Sequence, residues 1–106
     1  MTFIVELSPE AEEDLLRLQD FLLQRARFVE DLEIAERALR AIGTAFRIHL
    51  AQSPLIHRKA GSGQNPLRRE LLIPFGNTGY LALYEVLPPD RVLVLAVRHL
   101  LEQDYH

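Results

Sequence analysis

Six side chains in the second half of the sequence are of the types that bind or cleave a phosphodiester. They are Arg69, Arg98, His99, Glu102, Tyr105 and His106. RNA cleavage without a metal needs a base for the 2′-hydroxyl, an acid for the leaving oxygen and cations for the phosphate oxygens. These residues supply all three types if the fold gathers them at one sheet edge. The alternative is that Arg98 and His99 are solvated groups or ion-pair partners at the end of a buried strand.

The chain offers few ligands to a metal ion, because it has no cysteine and only four histidines. The histidines are His49, His57, His99 and His106. No two of them have the i, i+4 spacing of a helical metal pair. We therefore expect neither a metal nor a cofactor. Tyr80 and Tyr84 would share one face of a strand, which indicates packing, and Gly61-Ser62-Gly63 is too short to cradle a phosphate.

The hydropathy pattern predicts that a single α+β domain, residues 1–106, positions these groups. Ser8 can cap a helix that Pro9 opens, and Gly43 in a second helix allows a neighbouring backbone to approach closely. Gly76-Asn77-Thr78-Gly79 is typical of a hairpin turn. The segments are a strand over 2–7, a helix over 9–25, a connection over 27–31, a second helix ended by Pro54, a loop over 54–66 and strands over 67–75, 80–87 and 91–97. We expect a helical hairpin packed on a small antiparallel sheet, in the order β-α-α-β-β-β.

The net charge is only −3, but it is unevenly distributed. Residues 1–36 contain ten acidic and three basic side chains, a balance of −7, whereas residues 37–106 contain five acidic and nine basic ones, a balance of +4. A net acidic chain disfavours avid nonspecific binding to nucleic acid. No apolar run reaches the ~20 residues of a membrane span, and the N-terminus lacks the cationic region of a signal peptide. We therefore expect a cytoplasmic protein without a membrane partner.

Four sequence segments occur in an order that is typical of one protein family. The first is Val5–Leu15, in which Ser-Pro-x-Ala precedes an acidic and apolar helix. Leu67–Leu71 with Arg-x-Leu and Tyr80–Val86 with Tyr-x-x-x-Tyr follow, and Val92–His99 with Glu102 and Tyr105 is the last. The resemblance they carry extends over nearly the whole chain, from residue 5 to residue 105. They resemble the RelE/ParE superfamily of bacterial toxins from toxin–antitoxin pairs, also known as plasmid stabilisation proteins.

This resemblance implies one of two toxic activities. RelE-like members cut mRNA on the ribosome, whereas ParE-like members are understood to inhibit DNA gyrase. The helical hairpin over 9–53 is long for the ribonuclease branch, the chain is net acidic, and Leu100-Leu101 stands where related chains often have Gln-Arg. We therefore expect a ParE-like toxin that inhibits DNA gyrase or another type II topoisomerase by binding, and not an enzyme.

Two alternatives remain open. One is a RelE-like, metal-independent mRNA endonuclease that acts on the ribosome. Its candidate catalytic residues would be Arg98, His99, Glu102 and Tyr105. The other is a non-toxic relic that only binds an antitoxin.

The resemblance also implies an antitoxin partner, which in this superfamily is often an acidic segment that folds as it binds. The positive balance of residues 37–106 predicts a cationic groove near the sheet to receive it. The candidate contact residues are Arg58, Lys59, Arg68, Arg69, Arg91, Arg98 and Tyr105. The acidic first helix is either a second docking face or a solvated surface whose carboxylates favour the positive helix end.

Overall fold

Two helices lie against one face of a four-stranded sheet in the computed structural model, which describes residues 2–101. The helices are α1 (Pro9–Arg25) and α2 (Val29–Ala45), and a π turn (Phe46–Leu50) continues α2. The strands are β1 (Ile4–Leu7), β2 (Arg68–Phe75), β3 (Thr78–Leu87) and β4 (Arg91–His99). The α+β class and the order β-α-α-β-β-β are therefore confirmed.

The sheet has the strand order β1-β4-β3-β2. The last three strands form the antiparallel meander that the sequence predicts, but β1 pairs in parallel with β4, so the sheet as a whole is mixed. β4 lies between β1 and β3, which agrees with its nearly continuous apolar sequence. It runs two residues further than predicted, to His99, and β3 begins two residues earlier, at Thr78.

The N-terminal half of α1 is fixed against β4 by polar contacts. The Ser8 hydroxyl accepts a hydrogen bond from the Ala11 amide (3.0 Å) and donates one to the Leu95 carbonyl (3.2 Å), so the predicted cap also joins the helix to the sheet. One turn later, the Asp14 carboxylate accepts from the Val97 amide at 2.9 Å. The helix ends at Arg25, as the sequence predicts.

The second helix buries a stripe of small side chains. Ala35, Ala38 and Ile42 are buried, but Ile34, which the apolar pattern places on the same side, is largely exposed. A Cβ at Gly43 would find only the Arg47 Nη1 atom, at 3.8 Å. The prediction that Gly43 permits a close backbone approach is therefore wrong.

The hairpin between β2 and β3 is tighter than the sequence suggests. Phe75 pairs with Thr78, which leaves a loop of two residues with Gly76 at φ +60°. A left-handed first loop residue is typical of a turn that follows the twist of the strands. At Gly79 a Cβ would lie 2.5 Å from the Ile73 carbonyl oxygen, so the backbones approach closely there rather than at Gly43.

The core lies between the helices and the inner face of the sheet. Tyr80 and Tyr84 both belong to it, which confirms the predicted packing role.

The loop over 54–66 lies along β2. The Ala60 amide donates to the Arg68 carbonyl (2.9 Å), and the Glu70 amide donates to the Arg58 carbonyl (3.0 Å). No helix within residues 2–101 combines the length and the apolar character that crossing a membrane requires.

Candidate functional site

Three of the predicted contact cations form ion pairs on the outer face of the sheet, the face away from the helices. Arg91 Nε lies 2.8 Å from Glu6 Oε1, Arg68 Nη2 lies 2.9 Å from Glu85 Oε1, and Arg58 Nε lies 3.1 Å from Glu70 Oε1. Each pair joins two neighbouring strands or a strand and its loop. Because each guanidinium faces a carboxylate, these three arginines do not form a surface of uncompensated positive charge.

Arg69 holds the loop over 54–66 against the sheet. Its Nη1 donates to the His57 carbonyl at 2.7 Å and its Nε to the Pro66 carbonyl at 2.9 Å. Arg69 pairs with Tyr84 in the register of β2 and β3, which places it on the inner face. Lys59 is exposed in the same loop. The geometry thus gives Arg69 a structural task, and its contact with an antitoxin remains a prediction.

The structure does not bring Arg98 and His99 together. They are consecutive residues of β4, so their side chains leave opposite faces of the sheet. Arg98 is paired with Leu81 on the outer face, and His99 with Tyr80 on the inner face, where the two rings make an edge contact at 5.2 Å. The candidates Glu102, Tyr105 and His106 lie outside the described residues.

His99 closes the end of the sheet by hydrogen bonding. The Leu101 amide donates to its Nδ1 at 3.1 Å, and its Nε2 lies 3.3 Å from the Thr78 hydroxyl. Both ring nitrogens are therefore in hydrogen-bond contact with groups of the fold. This environment suits a structural histidine rather than a proton carrier open to a substrate.

A second group of polar side chains lies where the loop over 54–66 meets the sheet. The His57 ring makes edge contacts with His49 (5.6 Å between centroids) and with Tyr84 (6.4 Å). Burial lowers the pKa of His57, and the nearby His49 and Arg69 act in the same direction. Burial raises the pKa of Tyr84 to about 12, and its hydroxyl donates to the Pro54 carbonyl at 2.6 Å. These groups fix the loop to the sheet.

No cluster of three or more metal-ligating side chains occurs within residues 2–101. His49 and His57 are adjacent, but Arg69 places a positive charge beside them. The arrangement therefore does not resemble a cation site.

A cationic groove lies between α2 and the edge strand β2, at arginines other than the predicted contact residues. The groove has a volume of about 390 Å³ and is lined by Arg37 and Arg40 from α2, by Ile48 and by Leu72 and Pro74 from β2. No carboxylate of the described residues pairs with Arg37, while Arg40 contacts Glu36 in an exposed pair at 2.8 Å. The i, i+3 spacing of two arginines on one helix face is the signal that could have revealed it.

A comparison with protein families agrees with this architecture. Residues 5–103 match the family described as the ParE toxin of the type II toxin–antitoxin system parDE. The chain belongs to this family. It is a toxin of the ParE/RelE superfamily of type II toxin–antitoxin systems, which confirms the resemblance inferred from the sequence.

Two similar proteins carry names from the two branches of the superfamily. The chain is 35% identical over 99 residues to a protein of Caulobacter vibrioides named Toxin RelE3, covering 93% of this chain and 96% of that protein. It also resembles a solved structure titled as a chromosomal ParDE system from P. aeruginosa, with a TM-score of 0.60, 14% identity and coverage of 92% and 96%. The second likeness shows a shared fold. Family membership therefore rests on the family match over residues 5–103 and on the relative at 35% identity.

Proposed function

We propose that this toxin acts as a ParE-like inhibitor of DNA gyrase or another type II topoisomerase, and that it acts by binding rather than by cutting RNA. The outer face of the sheet is the observation that carries the proposal. Its arginines Arg58, Arg68 and Arg91 are each neutralised by a carboxylate within 3.1 Å. A surface that stabilises the charge of a phosphodiester transition state needs uncompensated cations instead.

The side chains between these ion pairs support the same proposal. Leu93 pairs with Glu6 on one side and Glu85 on the other, and Leu83 pairs with Glu70. The middle of the outer face is therefore apolar. His99, the natural acid or base of the candidate set, lies on the inner face and hydrogen-bonds to the fold itself.

The alternative, a RelE-like ribonuclease, is favoured by one specific observation. The relative at 35% identity is named as a RelE toxin, and RelE-like members cut mRNA on the ribosome. This activity would have to use Arg98 with residues beyond 101. Of the candidate catalytic residues within 2–101, Arg98 is the one on the outer face of the sheet.

Expression of the toxin alone in bacteria distinguishes these activities. We expect filamentous cells and a DNA-damage response, with the 5′ ends of cellular mRNAs unchanged from those of an uninduced culture. Codon-phased mRNA cuts after induction would instead establish the ribonuclease. Normal growth together with retained antitoxin binding would identify a relic.

We further propose that an acidic antitoxin segment binds in the groove between α2 and β2. Among the described residues, the segment Arg58–Ala60 makes its backbone hydrogen bonds to the edge of β2 at Arg68 and Glu70. Farther along β2, Leu72 is exposed. It is two residues from Glu70 and four from Arg68, so its backbone N–H and C=O point to the same edge of the strand as theirs. A strand added there would run beside Arg37 and Arg40, which could contact its carboxylates.

Surface plasmon resonance with the antitoxin, expected in the neighbouring reading frame, tests this site. Arg37→Ala should shorten the lifetime of the complex, since the loss of a desolvated charged partner costs ~2–5 kcal/mol and affects the off-rate. Arg17→Ala, on α1, is the matched control and should change little. An effect of the control alone would place the antitoxin on the hairpin.

A further inference from the structure

The tip of the helical hairpin carries large apolar side chains that the fold does not use. Phe28 is 69% exposed, Val29 67%, Phe21 49% and Leu32 47%. Val29 and Leu32 are three residues apart, and Phe28 and Leu32 four, so they share one side of the first turn of α2. Phe21 lies on the last turns of α1, at the same end of the hairpin. We use "tip patch" for Phe21, Phe28, Val29 and Leu32.

Two hydrogen bonds to a side chain support the backbone of the tip. The Asp31 carboxylate accepts hydrogen bonds from the amides of Arg27 (2.9 Å) and Phe28 (3.1 Å), which closes the connection between the helices. On α1, the Arg25 guanidinium lies 5.1 Å from the centre of the Phe21 ring. An aromatic side chain has only two rotatable torsions and loses little freedom when a partner buries it, so this arrangement favours binding.

Phe28 occupies a position at which its residue type is unfavourable for the fold. It is the N-cap residue of α2 and makes no side-chain cap hydrogen bond. Serine, threonine, aspartate or asparagine at an N-cap stabilises a helix relative to an apolar residue. A large apolar residue that departs from the local preference and stays 69% exposed points to a role outside the fold.

Charge indicates what kind of surface the tip patch fits. The tip lies in the segment with a balance of −7, and its exposed carboxylates Asp20, Glu30 and Glu33 outnumber the exposed Arg25 and Arg27. Because the tip is net acidic, a second copy of the hairpin is less complementary to it than a basic surface. The complementary surface is an apolar cleft bordered by basic side chains.

We infer that the tip patch is the surface by which this toxin docks on its target protein, with the Phe28 side chain inserted into an apolar, basic-rimmed cleft. The inference rests on the proposed function, because it names the surface that the gyrase-directed activity would use. The antitoxin groove between α2 and β2 is a separate surface on the other end of α2.

The variant Phe28→Ser separates docking from folding. Serine is a preferred N-cap residue, so we expect a melting temperature at or above that of the wild type. Truncation of a central aromatic contact commonly weakens an interface by about 10- to 30-fold or more. We therefore expect about 10- to 30-fold more Phe28→Ser than wild type for half-inhibition of DNA supercoiling by purified gyrase, with unchanged affinity for the antitoxin.

Ile56→Ser is the matched control, since Ile56 is 76% exposed but lies in the loop over 54–66. It should inhibit gyrase like the wild type. Equal inhibition by Phe28→Ser and the wild type overturns the inference. The inference is also overturned if Phe28→Ser loses antitoxin binding but stays toxic. It is overturned as well if analytical ultracentrifugation shows that the wild type is a dimer and that Phe28→Ser is a monomer.

The failure of the proposed function has a different signature. If the wild type does not inhibit gyrase but arrests growth, growth arrest replaces supercoiling as the readout. If Phe28→Ser then no longer arrests growth while Ile56→Ser still does, the result supports docking through the tip patch. If both variants arrest growth, the inference is overturned. A wild type that neither inhibits gyrase nor arrests growth overturns both statements.

Discussion

Removal of the Tyr84 hydroxyl should weaken the attachment of the loop over 54–66 to the sheet. The hydroxyl donates to the Pro54 carbonyl at 2.6 Å, and both residues are fully buried. Tyr84→Phe keeps the ring and its edge contact with His57 but leaves the carbonyl without that donor. A buried polar group left unpaired costs about 1–3 kcal/mol.

The assay is urea unfolding followed by circular dichroism at pH 7.5. We expect the free energy of unfolding to fall by about 1–3 kcal/mol, which for a domain of this size lowers the melting temperature by about 4–8 °C per kcal/mol. Tyr80→Phe is the matched control. Tyr80 is also buried on β3, but no hydrogen bond of its hydroxyl to a described residue supports the fold, so its loss should change stability by under about 0.5 kcal/mol.

Alkaline pH provides a second test of the same contact. The pKa of Tyr84 rises from 10.0 to about 12 on folding, mainly through burial, so the unfolded chain loses this proton first. Stability should therefore fall as the pH rises above 10, by up to about 3 kcal/mol near pH 12 for this group. Tyr84→Phe lacks this contribution, and the two proteins should converge in stability. Equal stability of Tyr84→Phe and wild type at pH 7.5 would refute the reasoning.

Three further substitutions test other parts of the fold in the same unfolding assay. Gly79→Ala should destabilise by about 1–3 kcal/mol, because the new Cβ would lie 2.5 Å from the Ile73 carbonyl oxygen; wild-type stability would contradict this close approach. Gly43→Ala should stabilise by about 0.4–1 kcal/mol, since its Cβ meets nothing closer than 3.8 Å, and a loss of stability would show a contact there. His57 has a lowered pKa, so the unfolded chain binds its proton first and stability should fall as the pH drops through 6.5; His57→Gln should show a smaller fall between pH 7.5 and 5, and an equal fall would exclude His57 as its source.

The elements of this fold follow from local patterns in the sequence. Three features depend on only a few neighbouring residues each: the end of α1 at Arg25, the cap at Ser8 and the turn at Gly76-Asn77. The parallel pairing of β1 with β4 does not, because it joins Ile4 to Arg91 across most of the chain. Ile34 shows the limit of periodicity, since the helix pattern marks its side of α2 as apolar but the residue is 42% exposed.

The candidate site was harder to predict, because the strand register decides which charges meet. Residue types indicate that Arg68 and Arg91 are cations, but only the pairing of strands places Glu85 and Glu6 beside them. The same applies to Arg98 and His99, which adjacency in sequence groups together and the pleat of β4 separates. The groove at Arg37 required knowledge that α2 lies over the edge of β2.

The most direct test of the central claim is a supercoiling assay with purified components. Relaxed plasmid, ATP and DNA gyrase are incubated with increasing amounts of the toxin, and the antitoxin is added in a parallel series. The proposal predicts that supercoiling decreases with the toxin and is restored by the antitoxin, while an mRNA translated on ribosomes with the same toxin stays intact. Full supercoiling activity at saturating toxin, together with cleavage of the ribosome-bound mRNA, would contradict it.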